Sequence, residues 1–114
     1  MIVVVTGSRT WTDVEKIRQR FSELPKDTIL YHGGAIGADS LADLEARLFG
    51  LDVRVRHADW NRHGRSAGAI RNRTMLTEAQ PDLVLAFWDG DSRGTRHMIG
   101  LAEERGIPLE IISP

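Results

Sequence analysis

Three glycine-bearing stretches each follow an apolar run, and in each the residue types suit an anionic ligand. The first, Thr6-Gly7-Ser8-Arg9, sets a glycine directly after a β-branched run, where the backbone can turn sharply and an anion can approach main-chain N–H groups. Ser8 adds a hydroxyl and Arg9 a charge at the same mouth, although a plain tight turn accounts for the tripeptide equally well. The second, His32-Gly33-Gly34-Ala35-Ile36-Gly37-Ala38-Asp39, reads as a phosphate-cradling loop feeding a helix N-terminus. It is neither a Walker loop nor a dinucleotide fingerprint, because no Gly-Lys-Ser/Thr follows and the glycine spacing differs. Asp39 falls in the first helical turn, where it can serve the helix dipole or bind a ribose. The third, Asp89-Gly90-Asp91-Ser92-Arg93-Gly94-Thr95, brings backbone N–H groups and the Thr95 hydroxyl to a helix start. Asp89, Asp91 and Ser92 equally suit a turn and cap.

Other chemistry is less supported. Ala67-Gly68-Ala69-Ile70-Arg71-Asn72-Arg73 opens a helix with small residues, from which Arg71 and Asn72 can reach a ligand or simply face solvent. Trp60 lies in a polar stretch, Asp59–Gly64, as a stacking surface or a lid. His32, His57, His63 and His97 show no metal spacing and read as surface or supporting groups, so no metal site is expected. No Gly-x-Ser-x-Gly elbow occurs, and the absence of cysteine excludes thiolate chemistry and disulfides.

The elements that must position these loops are legible from periodicity. Apolar runs at Ile2–Thr6, Thr28–Tyr31, Leu51–His57, Leu83–Trp88 and Ile107–Ile112 alternate with four helical stretches. Val53 and Val55 alternate with Arg54 and Arg56, the pattern of a sheet edge. The first helix carries Trp11, Val14, Ile17, Phe21 and Leu24 at helical spacing, with Thr12-x-x-Glu15 as a capping box. The second carries Leu41, Leu44 and Leu48 beside Ala38, Ala42 and Ala46 and stops at Gly50. The third covers roughly Ser66–Ala79, and the fourth shows Met98, Ile99 and Ala102 before Gly106 and Pro108. Alternating strands and helices predict an α/β domain, a mainly parallel five-stranded sheet with helices on both faces. Ligands of such sheets sit beyond the carboxyl ends of the strands.

Composition bounds the rest. The 114 residues fit one domain, 1–114, with 41% apolar side chains for its core. Basic and acidic residues number 15 and 16, which disfavours a general nucleic-acid binder. Thirteen of the basic residues are arginine, and six of these lie between Arg54 and Arg73 against one acid, Asp59. That run is either a solvated face or part of an anion site. No apolar run approaches the ~20 residues of a membrane span, and no basic n-region precedes the first strand, so a cytoplasmic protein without membrane contacts is expected.

The order Thr6-Gly7-Ser8-Arg9, His32-Gly33-Gly34-x-x-Gly37-Ala38-Asp39, Asp59-Trp60, Ala67-Gly68-x-x-Arg71-Asn72 and Gly94-Thr95 resembles the YspA/YpsA-related branch of the SLOG superfamily. That superfamily also contains the DNA-processing protein DprA and the Lonely Guy phosphoribohydrolases. The resemblance implies a Rossmann-like three-layer fold with strand order 3-2-1-4-5. It also implies a small-molecule nucleotide or nucleotide-sugar ligand, no required cofactor, and a homo-oligomer. The expected pocket is Gly7, Ser8, Arg9, Gly33, Gly34, Gly37, Asp39, Gly94 and Thr95, approached by Arg71 and Asn72. The phosphoribohydrolases carry Gly-Thr-x-x-Glu on the last loop and helix, but here Met98 stands at the glutamate position and cannot act as a base. Ligand binding, by a sensor or sequestering module, is therefore the leading expectation. Hydrolysis of a nucleotide N-glycosidic or phosphoester bond is the alternative, and single-stranded nucleic-acid binding a third.

Overall fold

The computed structural model describes all residues, Met1–Pro114. Five strands form one sheet: β1 (Ile2–Gly7), β2 (Ile29–His32), β3 (Asp52–Val55), β4 (Leu83–Phe87) and β5 (Leu109–Ile112). All neighbouring pairs are parallel and the spatial order is β3-β2-β1-β4-β5. The sheet is flanked by α1 (Val14–Ser22), α2 (Ala38–Leu48), the short α3 (Trp60–His63), α4 (Ala67–Ala79) and α5 (Arg93–Glu104), with a 3-10 turn at Gly64–Ser66. This is the α/β order that the alternation and the resemblance implied, and β3 is an edge strand with Asp52 and Arg54 exposed.

Strand alternation builds two cores. Val3, Val5, Leu85 and Phe87 face α1 and α2, meeting Ile17, Phe21 and the three alanines of α2. Trp11 packs edge-on against Phe87, with ring centroids 5.6 Å apart. Val4 and Val84 face the other way, onto Met75 and Leu76 of α4 and Met98 and Leu101 of α5. Strand order reverses between β1 and β4, because the crossovers leave β1 toward β2 and return to β4 on its far side. The crevice at their carboxyl ends is the switch point of the sheet.

Three expectations about helices differ from the structure. Leu44 and Leu48 are exposed, and α2 buries Ala38, Ala42 and Ala46 instead. The cause is close packing: a Cβ at Gly7 would collide with the Ala38 Cβ and with the Phe87 carbonyl, so the helix lies too near β1 for leucines between them. The N-cap of α1 is Asp13, which accepts from the Lys16 amide, not Thr12. The Asp59–Gly64 stretch, expected as loop, holds α3, capped by the Asp59 carboxylate on the Arg62 amide.

Ser92 caps α5 through its hydroxyl, which accepts from the Thr95 amide at 3.3 Å and pairs with the Thr95 hydroxyl at 2.9 Å. Ser92→Ala should lower stability by about 1 kcal/mol. Urea titration should show this as an earlier midpoint with an unchanged slope.

Candidate functional site

A cavity of about 540 Å³ opens at the carboxyl ends of β1 and β4. Its size lies within the ~300–1,000 Å³ common for small-molecule sites. Thr6, Gly7, Arg9 and Thr10 form one wall, and Ser92, Arg93, Gly94, Thr95 and His97 another. Asp39 and Ala35 reach it from the α2 side, Arg71 and Asn72 from α4, and Trp60, half-exposed, stands at the rim. Of the expected ligand residues, Gly7, Arg9, Asp39, Trp60, Arg71, Asn72, Gly94 and Thr95 thus meet around one space. Ser8, Gly33, Gly34 and Gly37 do not line it; they hold its walls in place.

Ser8 is fully buried. Its hydroxyl donates to the Asp89 carboxylate at 2.8 Å and accepts from the Asp89 amide at 3.1 Å. Thr10 donates to the same carboxylate. Hydrogen bonds from Thr10 first and Ser8 second hold the Asp89 carboxyl below the usual carboxylate range. Asp89 therefore fastens the loop after β1 to the loop after β4.

The 32–39 stretch differs most from its expected role. Asp39 Oδ2 accepts from the Gly33 amide at 3.0 Å and from the Ala35 amide at 3.2 Å. The Gly34 amide donates to His32 Nδ1 at 3.0 Å. Amides at 33, 34 and 35 are thus spent inside the protein and do not cradle a phosphate. Gly37, at φ 80°, ends the loop and begins α2, and the Ala38 amide donates to the Ser8 carbonyl at 3.1 Å. Asp39 itself is 5% exposed, and its other oxygen, Oδ1, is buried with no partner in the chain. Burial pushes its carboxyl up, against weaker pulls from His32, the loop amides and Arg71.

Arg71 is turned inward. Its Nη1 donates to the Gly33 carbonyl at 2.7 Å and more weakly to the Arg56 carbonyl at 3.3 Å, and its Nε to Asn72 Oδ1 at 3.0 Å. Burial lowers its pKa and Asp39 opposes that shift. Asn72, 3% exposed, donates to the Gly94 carbonyl at 3.2 Å and lies 3.1 Å from His97 Nδ1. The Arg71–Asn72 pair therefore joins the α4, α5 and β2 sides of the cavity.

Four arginines line the space, Arg9, Arg65, Arg71 and Arg93, and none of them is ion-paired, whereas Arg18, Arg20, Arg47, Arg54 and Arg56 are. Asp39 and Asp91 are the acids among the lining residues. The first amides of α5, at Arg93 and Gly94, have no intrahelical acceptor and carry the positive end of the helix dipole. The arrangement is positive overall and suited to an anion. Sequence reading missed Arg65, Arg93 and His97 as lining residues. The arginine run from 54 to 73 held one of them, but its members separate in space. Arg54 pairs with Asp52 and Arg56 with Glu78, both over the Tyr31 ring, while Arg65 and Arg71 face the cavity.

The sequence profile of the YspA, cpYpsA-related SLOG family matches residues 1–63, more than half of the chain. The chain belongs to that family. A curated relative, the "Gene 61 protein" of Mycobacterium phage D29, is 37% identical over 116 aligned positions, covering 94% of this chain and 92% of the relative. In this SLOG family member Met98 is completely buried in the core between the sheet and α4–α5 and does not line the cavity. The side chain that α5 presents to the cavity there is the preceding one, His97. No helix is long and apolar enough to cross a membrane, and no group of three or more His, Asp or Glu side chains is arranged to hold a metal ion.

Proposed function

We propose that this SLOG family member binds a nucleotide or nucleotide-derived ligand in the cavity between β1 and α5. Membership of the family favours a nucleotide-related role. The observation that carries the reading is the set of four arginines without a salt bridge that line the same cavity as the first amides of α5. Phosphate at that helix start satisfies the amides and neutralises the guanidinium groups. Trp60 at the rim offers a flat surface for a base, the edge of its ring reaching Gly68, whose added Cβ would meet Cη2 at 3.6 Å. A thermal-shift panel of AMP, ADP-ribose, NAD and cyclic nucleotides tests the reading, with the unphosphorylated nucleoside as control. A binder at a hundredfold excess over its Kd should add about 2.7 kcal/mol of stability. Arg93→Ala should weaken it by about tenfold or more while leaving the melting temperature of the free protein unchanged. Lack of response to every phosphorylated compound, in protein shown free of carried-over ligand, sinks the proposal.

Asp39 favours a second reading, hydrolysis within the bound nucleotide. A buried carboxyl with a raised pKa and a free oxygen beside a cavity is a group suited to proton transfer. Chromatography for base released from a nucleoside monophosphate decides it. Absence of product from every compound that binds leaves binding as the function.

A further inference from the structure

The hydrogen bonds around Asn72 fix which nitrogen of His97 carries the proton. Arginine has donors only, so the Asn72 atom that faces Arg71 Nε at 3.0 Å is the amide oxygen. The amide nitrogen then faces the Gly94 carbonyl at 3.2 Å, which agrees because a carbonyl only accepts. The same nitrogen lies 3.1 Å from His97 Nδ1, so Nδ1 accepts and is bare. A neutral imidazole with a bare Nδ1 holds its hydrogen on Nε2. That Nε2 is buried and meets no acceptor in the chain, on a residue that lines the cavity.

Position adds the direction. His97 follows Gly94 by three residues and Arg93 by four, so it shares their face of α5, and helical side chains lean toward the N-terminus. The shared Asn72 amide nitrogen places its ring beside the Gly94 carbonyl, in the first turn of α5. Burial, and then the Arg73 guanidinium on α4, lower its pKa, with Glu104 on its own helix opposing. Asp39, Arg71 and Arg93 are further charges sharing the cavity, and Asp39 is itself biased toward its neutral form by burial.

We propose that His97 is a specificity-determining residue of this site: the Arg71–Asn72 pair keeps Nδ1 bare and the proton on Nε2, and Nε2 donates a hydrogen bond to the anionic oxygen of the ligand at the start of α5. The donor role rests on the nucleotide reading above; the tautomer does not. A neutral donor adds a directed bond without adding another cation to four arginines, and it favours an acceptor oxygen at one fixed point.

Long-range proton–nitrogen spectra of the free protein at pH 7 read the ring directly. The expected pattern is a bare Nδ1 and a protonated Nε2; a ring protonated on Nδ1, or on both nitrogens, overturns the proposal. In the complex with AMP the Nε2 hydrogen should shift, and an unmoved signal at saturation overturns the donor role. His97→Gln places an amide nitrogen near the Nε2 position and should keep the AMP Kd within about threefold, whereas His97→Asn, which reaches only the Nδ1 position, should weaken it by about tenfold. Both variants should melt with the wild type, and equal affinities of the two also overturn the donor role. Asn72→Asp supplies an acceptor to Nδ1, so it should move the hydrogen there and raise the pKa of the ring. Failure of both AMP and ADP-ribose to bind the wild type overturns the nucleotide reading and the donor role together. Equal weakening of both His97 variants, with the wild type still binding AMP, overturns the donor role and leaves the nucleotide reading standing.

Discussion

Asp39→Ala should destabilise the domain by about 2–4 kcal/mol, because the Gly33 and Ala35 amides both lose their acceptor in a buried place. That is a large part of the ~5–15 kcal/mol that holds a typical domain together. Asp39→Asn should behave differently, since an amide oxygen can accept from the same two N–H groups. The direction of its effect follows from the raised pKa of Asp39. The folded chain keeps the carboxyl proton at pH values where the unfolded chain, with an ordinary aspartate near ~3.9, has lost it. Stability contributed at this site therefore falls as pH rises from the ordinary value toward the folded one, and the penalty is complete above it. Asn carries no such penalty, so Asp39→Asn should match or exceed the wild type at pH 7 and lose part of the pH dependence. Chemical denaturation of the wild type and both variants at pH 4 and pH 7 measures this. A wild type that gains stability relative to Asp39→Asn between those two values contradicts the argument.

Gly37→Ala should cost about 3–5 kcal/mol, from two additive causes. The residue has φ 80° and ψ −125°, a region that side chains avoid. The added Cβ would also run into the carbonyl groups of Ser8 and Arg9, which are backbone and cannot rotate away. Relief requires the 8–9 segment to retreat, and that segment holds the Ala38 amide and carries Arg9 to the cavity. Loss of stability should therefore come with weaker binding of the proposed nucleotide ligand. Gly90→Ala is the useful control: its φ is 92°, but nothing lies near the position of its Cβ. It should show the conformational cost alone, about 1–2 kcal/mol. Equal losses at both positions would mean that the collision with the loop after β1 is not felt.

Much of the fold is legible in the residues themselves. Val3, Val4 and Val5 form a run apolar on both faces, which only a strand buried between two layers needs, and the alternation of Val53 and Val55 with arginine marks an edge. The place of the cavity follows too, because glycine and polar residues gather where β1 and β4 end. What local pattern hides is how near two elements come. Leu44 and Leu48 of α2 look like its inner face until Gly7 and Ala38 are seen to touch, after which alanines fill the closest approach and Leu41 packs only at its margin. The glycines at 33 and 34 look like a phosphate cradle until the carboxylate of Asp39 folds back onto them. His97 gave no signal because its meaning lies in Asn72, 25 residues earlier on another helix. Short-range spacing rules have no access to such a partner.

The central position of β1 bears on how the domain assembles. Its neighbour β4 is synthesised after β2 and β3, so β1 keeps one bare edge until most of the chain is made. The stretch matched by the family profile stops before β4 and contains three strands without that closing partner. Such late, non-local pairing is slow. A compound gripping Gly7, at the end of β1, and Gly94, at the start of α5, clasps two segments far apart in the chain, and it should slow amide hydrogen exchange throughout the sheet as well as in the loops it touches.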